Sequence, residues 1–147
     1  MRTRRWCIAG AVLLAILVGT AGCQNGSASE DDWARVTAVE WRLERLDEAP
    51  VLAGAKVTLA FDPAGRLFGN AGANNYFASF ERNGASGLSV SPVASTQMFI
   101  AEPAGLMEQE GRYLALLQGV DAFRLYGSRL ELHTAGRSVL DLVSQGP

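Results

Sequence analysis

The sequence predicts a mainly β domain: a small antiparallel barrel with one inserted α-helix, set behind an export signal. Three observations predict it. Apolar and polar residues alternate with period two in about eight short segments, which places each apolar set on one face of a strand. Turns rich in glycine and asparagine separate those segments. Only Glu102 to Gln118 follows helical spacing instead. Antiparallel strands in this number favour closure, because a closed sheet has no unpaired edge.

The first segment in chain order precedes the domain. Arg2, Arg4 and Arg5 are followed by the apolar run Trp6 to Val18 and then by Thr20-Ala21-Gly22-Cys23, which is the order of a secretory signal ending in a lipoprotein processing site. The run falls short of the roughly 20 residues that span a bilayer, so cleavage before Cys23 is expected, with the Cys23 thiol carrying a diacylglyceryl group. The alternative is an uncleaved anchor, or an ordinary signal peptide with a chance cysteine. Buried acyl carbons contribute about 0.8 kcal/mol each, and several chains together make a stable anchor. Gln24, in place of the aspartate that retains lipoproteins at the inner membrane, directs the expectation to the outer membrane facing the periplasm. The chain thus divides into a signal peptide at 1–22, a lipidated cysteine and flexible tether at 23–35, the domain at 36–143 and a tail at 144–147.

Within the tether, Gln24 to Asp32 is polar and lacks apolar groups to offset ordering entropy. Strands are then expected around Val39, Trp41 and Leu43, and around Val57, Leu59 and Phe61, the latter closed by the turn Asp62-Pro63-Ala64-Gly65. Arg66 to Asn70 and Asn75 to Glu81 flank the glycine-rich bend Gly69-Asn70-Ala71-Gly72, and Leu88 to Val93 follows the loop Asn83 to Gly87. Three C-terminal strands carry Phe123 and Leu125, Leu130 and Leu132, and Leu140 and Leu142, with Gly127-Ser128 and Ala135-Gly136 as hairpin turns. In the helix, Leu106, Met107, Tyr113, Leu114 and Leu117 form the apolar stripe, Pro103 falls in the first turn and Gly119 ends it.

Composition narrows the function classes. Removing the signal takes three of the 13 basic side chains and none of the 15 acids, so the mature chain has ten bases against 15 acids, a net charge of −5. Such a chain attracts neither nucleic acid nor anionic lipid headgroups. The chain has two cysteines. Cys7 leaves with the signal and Cys23 is consumed by acylation, so the folded domain has no thiol for a disulfide, a metal or nucleophilic catalysis. No cofactor is expected.

The order of motifs resembles the META domain family, which includes a bacterial heat-shock lipoprotein. Trp41-Arg42-Leu43, Thr58 to Asp62 with Gly65-Arg66, Gly69 to Tyr76, Ser95-Thr96-Gln97-Met98, Glu110 with Tyr113-Leu114 and the Leu130-Glu131-Leu132 hairpin carry the resemblance. It implies structural roles for Trp41, Gly72, Asn74, Thr96, Met98 and Glu110, and a link to tolerance of heat and of aminocoumarin antibiotics such as novobiocin. Many members carry a cysteine pair in the glycine-rich loop and after the Thr-x-Met segment. Here Ala73 and Ile100 stand at those positions.

The candidate sites divide into chemical and structural readings. The Gly69 to Asn75 loop lacks the Lys-Ser/Thr of a phosphate loop and leads into a strand, so it reads as a tight bend. His133, the one histidine, alternates with Leu130 and Leu132, is expected to face solvent, and has no imidazole partner for a metal or a triad. Glu110 falls on the buried stripe of the helix, where a charge must be paired; it is expected to accept hydrogen bonds from backbone amides or from the Asn74/Thr96 region, the rival reading being a catalytic acid. Thr96 suits hydroxyl bonding and Met98 core filling. Glu30-Asp31-Asp32 reads as a solvated spacer without calcium-loop spacing.

The leading expectation is a non-enzymatic envelope lipoprotein whose domain binds a protein or a small amphiphile, its membrane contact made through the lipid. One alternative is an inhibitor of an envelope hydrolase, such as a lysozyme or a protease, acting through the loop Asn83 to Gly87 or Gly69 to Asn75. Another is a lipocalin-like carrier, set against a barrel filled by Trp41, Phe61, Phe68, Tyr76, Phe80 and Phe123.

Overall fold

A computed structural model describes residues 29–146; the expected signal segment, Cys23 and the first part of the tether lie outside them. The strands are β1 (Trp41–Leu46), β2 (Ala49–Pro50), β3 (Thr58–Asp62), β4 (Arg66–Asn70), β5 (Asn75–Asn83), β6 (Gly87–Val90), β7 (Ala94–Ser95), β8 (Ala122–Tyr126), β9 (Arg129–Thr134) and β10 (Arg137–Ser144). Two helices, α1 (Glu30–Thr37) and α2 (Leu106–Gln118), accompany them. Eight of the strands form one antiparallel ring in the order β10-β9-β8-β6-β5-β4-β3-β1, and β1 pairs back onto β10 from Trp41↔Ser144 to Leu46↔Leu140. The expected barrel is therefore closed. The two-residue strands β2 and β7 lie outside the ring, on β1 and β5.

Inward residues follow the period-two pattern that the sequence carries. Trp41, Leu43, Leu59, Phe61, Leu67, Tyr76, Leu88, Phe123, Leu130, Leu132, Leu140 and Leu142 are all buried. An eight-stranded barrel is just wide enough for side chains of this size to fill it. Phe68 departs from the expected filling: its neighbour Leu67 takes the inward position, and Phe68 stands outside with 46% of its surface exposed.

The turns use the expected residues. Asp62 and Arg66 flank a three-residue turn in which the Ala64 N–H donates to the Asp62 carboxylate, and Gly65 sits at φ +83°. Ala135 and Gly136, both at positive φ, make the two-residue β9–β10 hairpin of the twist-matched kind. The β1–β2 turn was not foreseen; there Asp47 and Glu48, at φ +48° and +72°, take the left-handed region without glycine.

Where the sequence places a flexible tether over 23–35, helix α1 starts at Glu30. The cause is a capping box: the Ser29 hydroxyl accepts from the Asp32 N–H at 3.1 Å, and the Asp32 carboxylate accepts from the Ser29 N–H at 3.0 Å. Trp33 then packs against Phe61, Phe80 and Phe123 with ring centroids 5.2–5.4 Å apart, covering one end of the barrel. Arg82 lies over the Trp33 ring at 4.9 Å and makes a two-bond pair with Glu30. The Trp41 indole N–H donates to the Val36 carbonyl at 2.9 Å, joining α1 to β1.

The second helix is shorter than predicted. It begins at Leu106, after Gly105 at φ +87°, so Pro103 precedes it rather than entering its first turn. Its buried face comprises Leu106, Glu110, Tyr113 and Leu117. It lies against the end of the barrel formed by the β1–β2 and β4–β5 connections, opposite the end that α1 covers.

Candidate functional site

Four nearly consecutive residues of α2 each fasten a different segment. The Gln109 side-chain oxygen accepts from the Leu52 N–H at 2.7 Å, and Arg112 donates to Asp47 at 2.6 Å. Tyr113 meets the Tyr76 hydroxyl at 2.6 Å, and Tyr76 donates onward to the Thr58 carbonyl at 2.8 Å. Between them Glu110 reaches the glycine-rich loop.

Glu110 is 5% exposed and is paired with donors, not with a cation. One of its oxygens accepts from the Ala73 and Asn74 N–H groups at 3.0 and 2.8 Å, and the other from the Asn74 side-chain amide at 2.7 Å. These are the bonds expected of it. The loop can present both N–H groups because Gly72 takes φ +121°, with the Asn70 side chain accepting from the Gly72 N–H at 2.8 Å.

Asn74 spends its whole amide. Nδ2 donates to Glu110 and to the Met98 carbonyl (2.9 Å), while Oδ1 accepts from the Thr96 hydroxyl (2.8 Å) and the Met98 N–H (2.6 Å). Asn74 is 2% exposed. Every side-chain oxygen and nitrogen of Glu110 and Asn74 is thus partnered, while the Gln109 Nε2 one residue away is buried without a partner.

The structure brings Gly72, Ala73, Asn74, Thr96, Met98 and Glu110 together. Trp41 sits apart, as a core residue at the α1 end. Ala73 is buried and Ile100 half-buried. Met98 is a correction: the network uses its backbone, and its side chain, expected in the core, is 58% exposed. His133 is a second correction. It lies on the face opposite Leu130 and Leu132, yet is 5% exposed, flanked by Ala122 and Ser138 on the neighbouring strands and contacted by Glu131 at 3.2 Å. Period two assigns a face; shielding by neighbours decides exposure.

Sequence reasoning missed two constellations. Burial pushes the Tyr76 and Tyr113 hydroxyls well above their usual pKa, and both stay neutral phenols in the core. Asp47 accepts from Arg112 and Arg137, whose guanidiniums hold its carboxyl below the usual carboxylate value. Both assemble residues from distant segments, and neither leaves a local pattern.

The outer surface carries the remaining signal. Phe68 and Phe77 pair across β4 and β5, with Ala60 and Ala94 continuing the row onto β3 and β7. A shallow groove of about 540 Å³ runs beside them, lined in part by Lys56, Asn70, Asn75 and Glu40. Phe77, Met98 and Phe99 are exposed by 64%, 58% and 81%. Among the described residues no group of three or more His, Cys, Asp or Glu side chains is placed to hold a metal ion, and no helix is long and apolar enough to cross a membrane.

The META domain family model matches residues 34–147. The chain belongs to the META domain family. Two structures solved by NMR share its fold. One, a protein from Burkholderia xenovorans, has a TM-score of 0.61 at 18% identity and covers 99% of this chain and 100% of its own. The other has a TM-score of 0.59 at 19% identity over 76% of this chain and 92% of its own. No curated protein matches the chain. Both likenesses are of the fold alone.

Proposed function

We propose that this META domain is a non-enzymatic binding module held at the cell envelope by a lipid on Cys23, with a part in stress tolerance. The observation that carries the reading is a contrast. The buried polar network around Glu110 and Asn74 is saturated by its own members, whereas Phe77, Met98 and Phe99 stand in water. A catalytic acid needs a free face toward a substrate; exposed aromatic and methionine side chains are what interfaces use. The barrel interior is occupied by Trp41, Tyr76, Tyr113 and Phe123, which favours a partner on the outside over a ligand carried within.

The anchor follows from the residues up to Cys23, and intact mass spectrometry of the membrane fraction tests it. A chain beginning at Cys23 with acyl groups attached is expected. Cells lacking the protein should become more sensitive to heat or novobiocin, with rescue by the native gene and not by Cys23→Ala. Recovery of the unprocessed chain from the cytosol would overturn the envelope assignment.

A further inference from the structure

Six consecutive residues, Ala94 to Phe99, are exposed, although they are pinned along one edge. The Thr96 N–H donates to the Asn75 carbonyl at 3.0 Å, and Met98 engages the Asn74 amide through both its N–H and its C=O. Backbone groups of alternate residues in an extended chain point to opposite sides. The Thr96 and Met98 backbone groups are bonded to the domain, whereas among the described residues those of Gln97 and Phe99 have no hydrogen-bond partner.

This pattern has the polarity of a protease substrate. A serine protease pairs its cleft antiparallel with the residue that fills its primary pocket and with the residue two before it, leaving the one between turned away. Here Phe99 and Gln97 offer the free groups, and Met98 is the residue turned inward onto Asn74. Among the large apolar side chains of the described residues, Phe99 is also the most exposed, at 81%.

We propose that Thr96 to Ile100 is a substrate-like inhibitory segment that enters the cleft of an extracytoplasmic serine protease with an apolar primary pocket, Phe99 filling that pocket. The proposal rests on the reading of the domain as a non-enzymatic binder and names its partner class. The Asn74–Glu110 network supplies what distinguishes an inhibitor from a substrate: it fixes the segment before binding, so little ordering entropy remains to be lost, and it holds the backbone against the distortion that hydrolysis requires.

Full-length protein in detergent, titrated against chymotrypsin and subtilisin with a small chromogenic substrate, tests this. Stoichiometric loss of protease activity is expected. Phe99→Ala should weaken it about thirtyfold, as for a central interface anchor, and Phe99→Lys should transfer inhibition to trypsin, whose pocket is acidic. Both changes are at an exposed side chain and leave the fold intact. Thr96→Val, which removes the hydroxyl bond to Asn74 at an exposed residue, should be cut between Phe99 and Ile100 faster than the native protein. Full protease activity at about tenfold molar excess, cleavage of the native protein as fast as of the heat-unfolded chain, or inhibition indifferent to Phe99→Ala would each overturn the proposal. A protein that is acylated on Cys23 yet inert toward these proteases sinks this inference alone; one without the lipid sinks the envelope assignment.

Discussion

At the scale of single residues, Glu110 shows how a charge is kept inside a small domain without a counter-ion. Three donors, two of them backbone amides, take the place of water around its carboxylate, and hydrogen bonds to charged groups are worth about 1.5–3 kcal/mol each. Glu110→Gln turns an amide NH₂ toward at least one of these donors. The expected cost is about 2 kcal/mol, read as a lower urea midpoint at unchanged slope; unaltered stability would mean that the network does not lock α2 to the loop. Gly69 is constrained differently. A Cβ there would lie 2.0 Å from the Thr58 carbonyl oxygen, a backbone atom that cannot turn aside. Gly69→Ala should therefore destabilise the domain by about 3 kcal/mol, and a near-native midpoint in the same experiment would refute the close approach.

Among the elements, the eight strands of the ring were legible, and the two-residue strands β2 and β7 and the first helix were not. β4 begins and ends where alternation and the flanking glycines place it, and β9 and β10 surround their predicted hairpin turn. Such strands announce themselves because one face is wet and the other dry. Helix α1 is eight residues long, too short for helical periodicity to outweigh its acids, and its stability comes from the cap at Ser29 and from Trp33 docking on three aromatic rings of the barrel. Trp33→Ala removes that docking. A loss of about 2–3 kcal/mol is expected for this half-buried side chain, together with faster amide exchange in α1 and little change in the distant β9–β10 hairpin. Equal acceleration everywhere would show instead that α1 and the barrel open as one unit.

For the molecule as a whole, closure joins the first strand to the last and makes the two helices covers for opposite ends. It also buries the Tyr76–Tyr113 pair, which gives stability a defined alkaline limit. Unfolded tyrosines ionise near pH 10, whereas both hydroxyls are held neutral in the fold, their pKa raised by burial. Below pH 10 neither state sheds these protons, so the contribution is constant. As pH rises above 10 the unfolded chain loses them first, so stability falls with pH. Denaturant midpoints between pH 9 and 12 should decline, and Tyr76→Phe, despite a lower starting stability, should decline less steeply. Parallel slopes for the two proteins would contradict the raised pKa.

The sequence by itself determined the strand faces, the turn chemistry, the helical stripe and the need for Glu110 to be paired, because each is set by residues within a few positions of one another. The expectation of export rests on the same kind of local order, in the residues up to Cys23. Only the tertiary structure decided that Phe68 and Met98 stand outside, that His133 is shielded, and that Asn74 clasps the segment from Thr96 to Met98. Those outcomes depend on which strands become neighbours after closure, and neighbours 20 or more residues away leave no period in the chain.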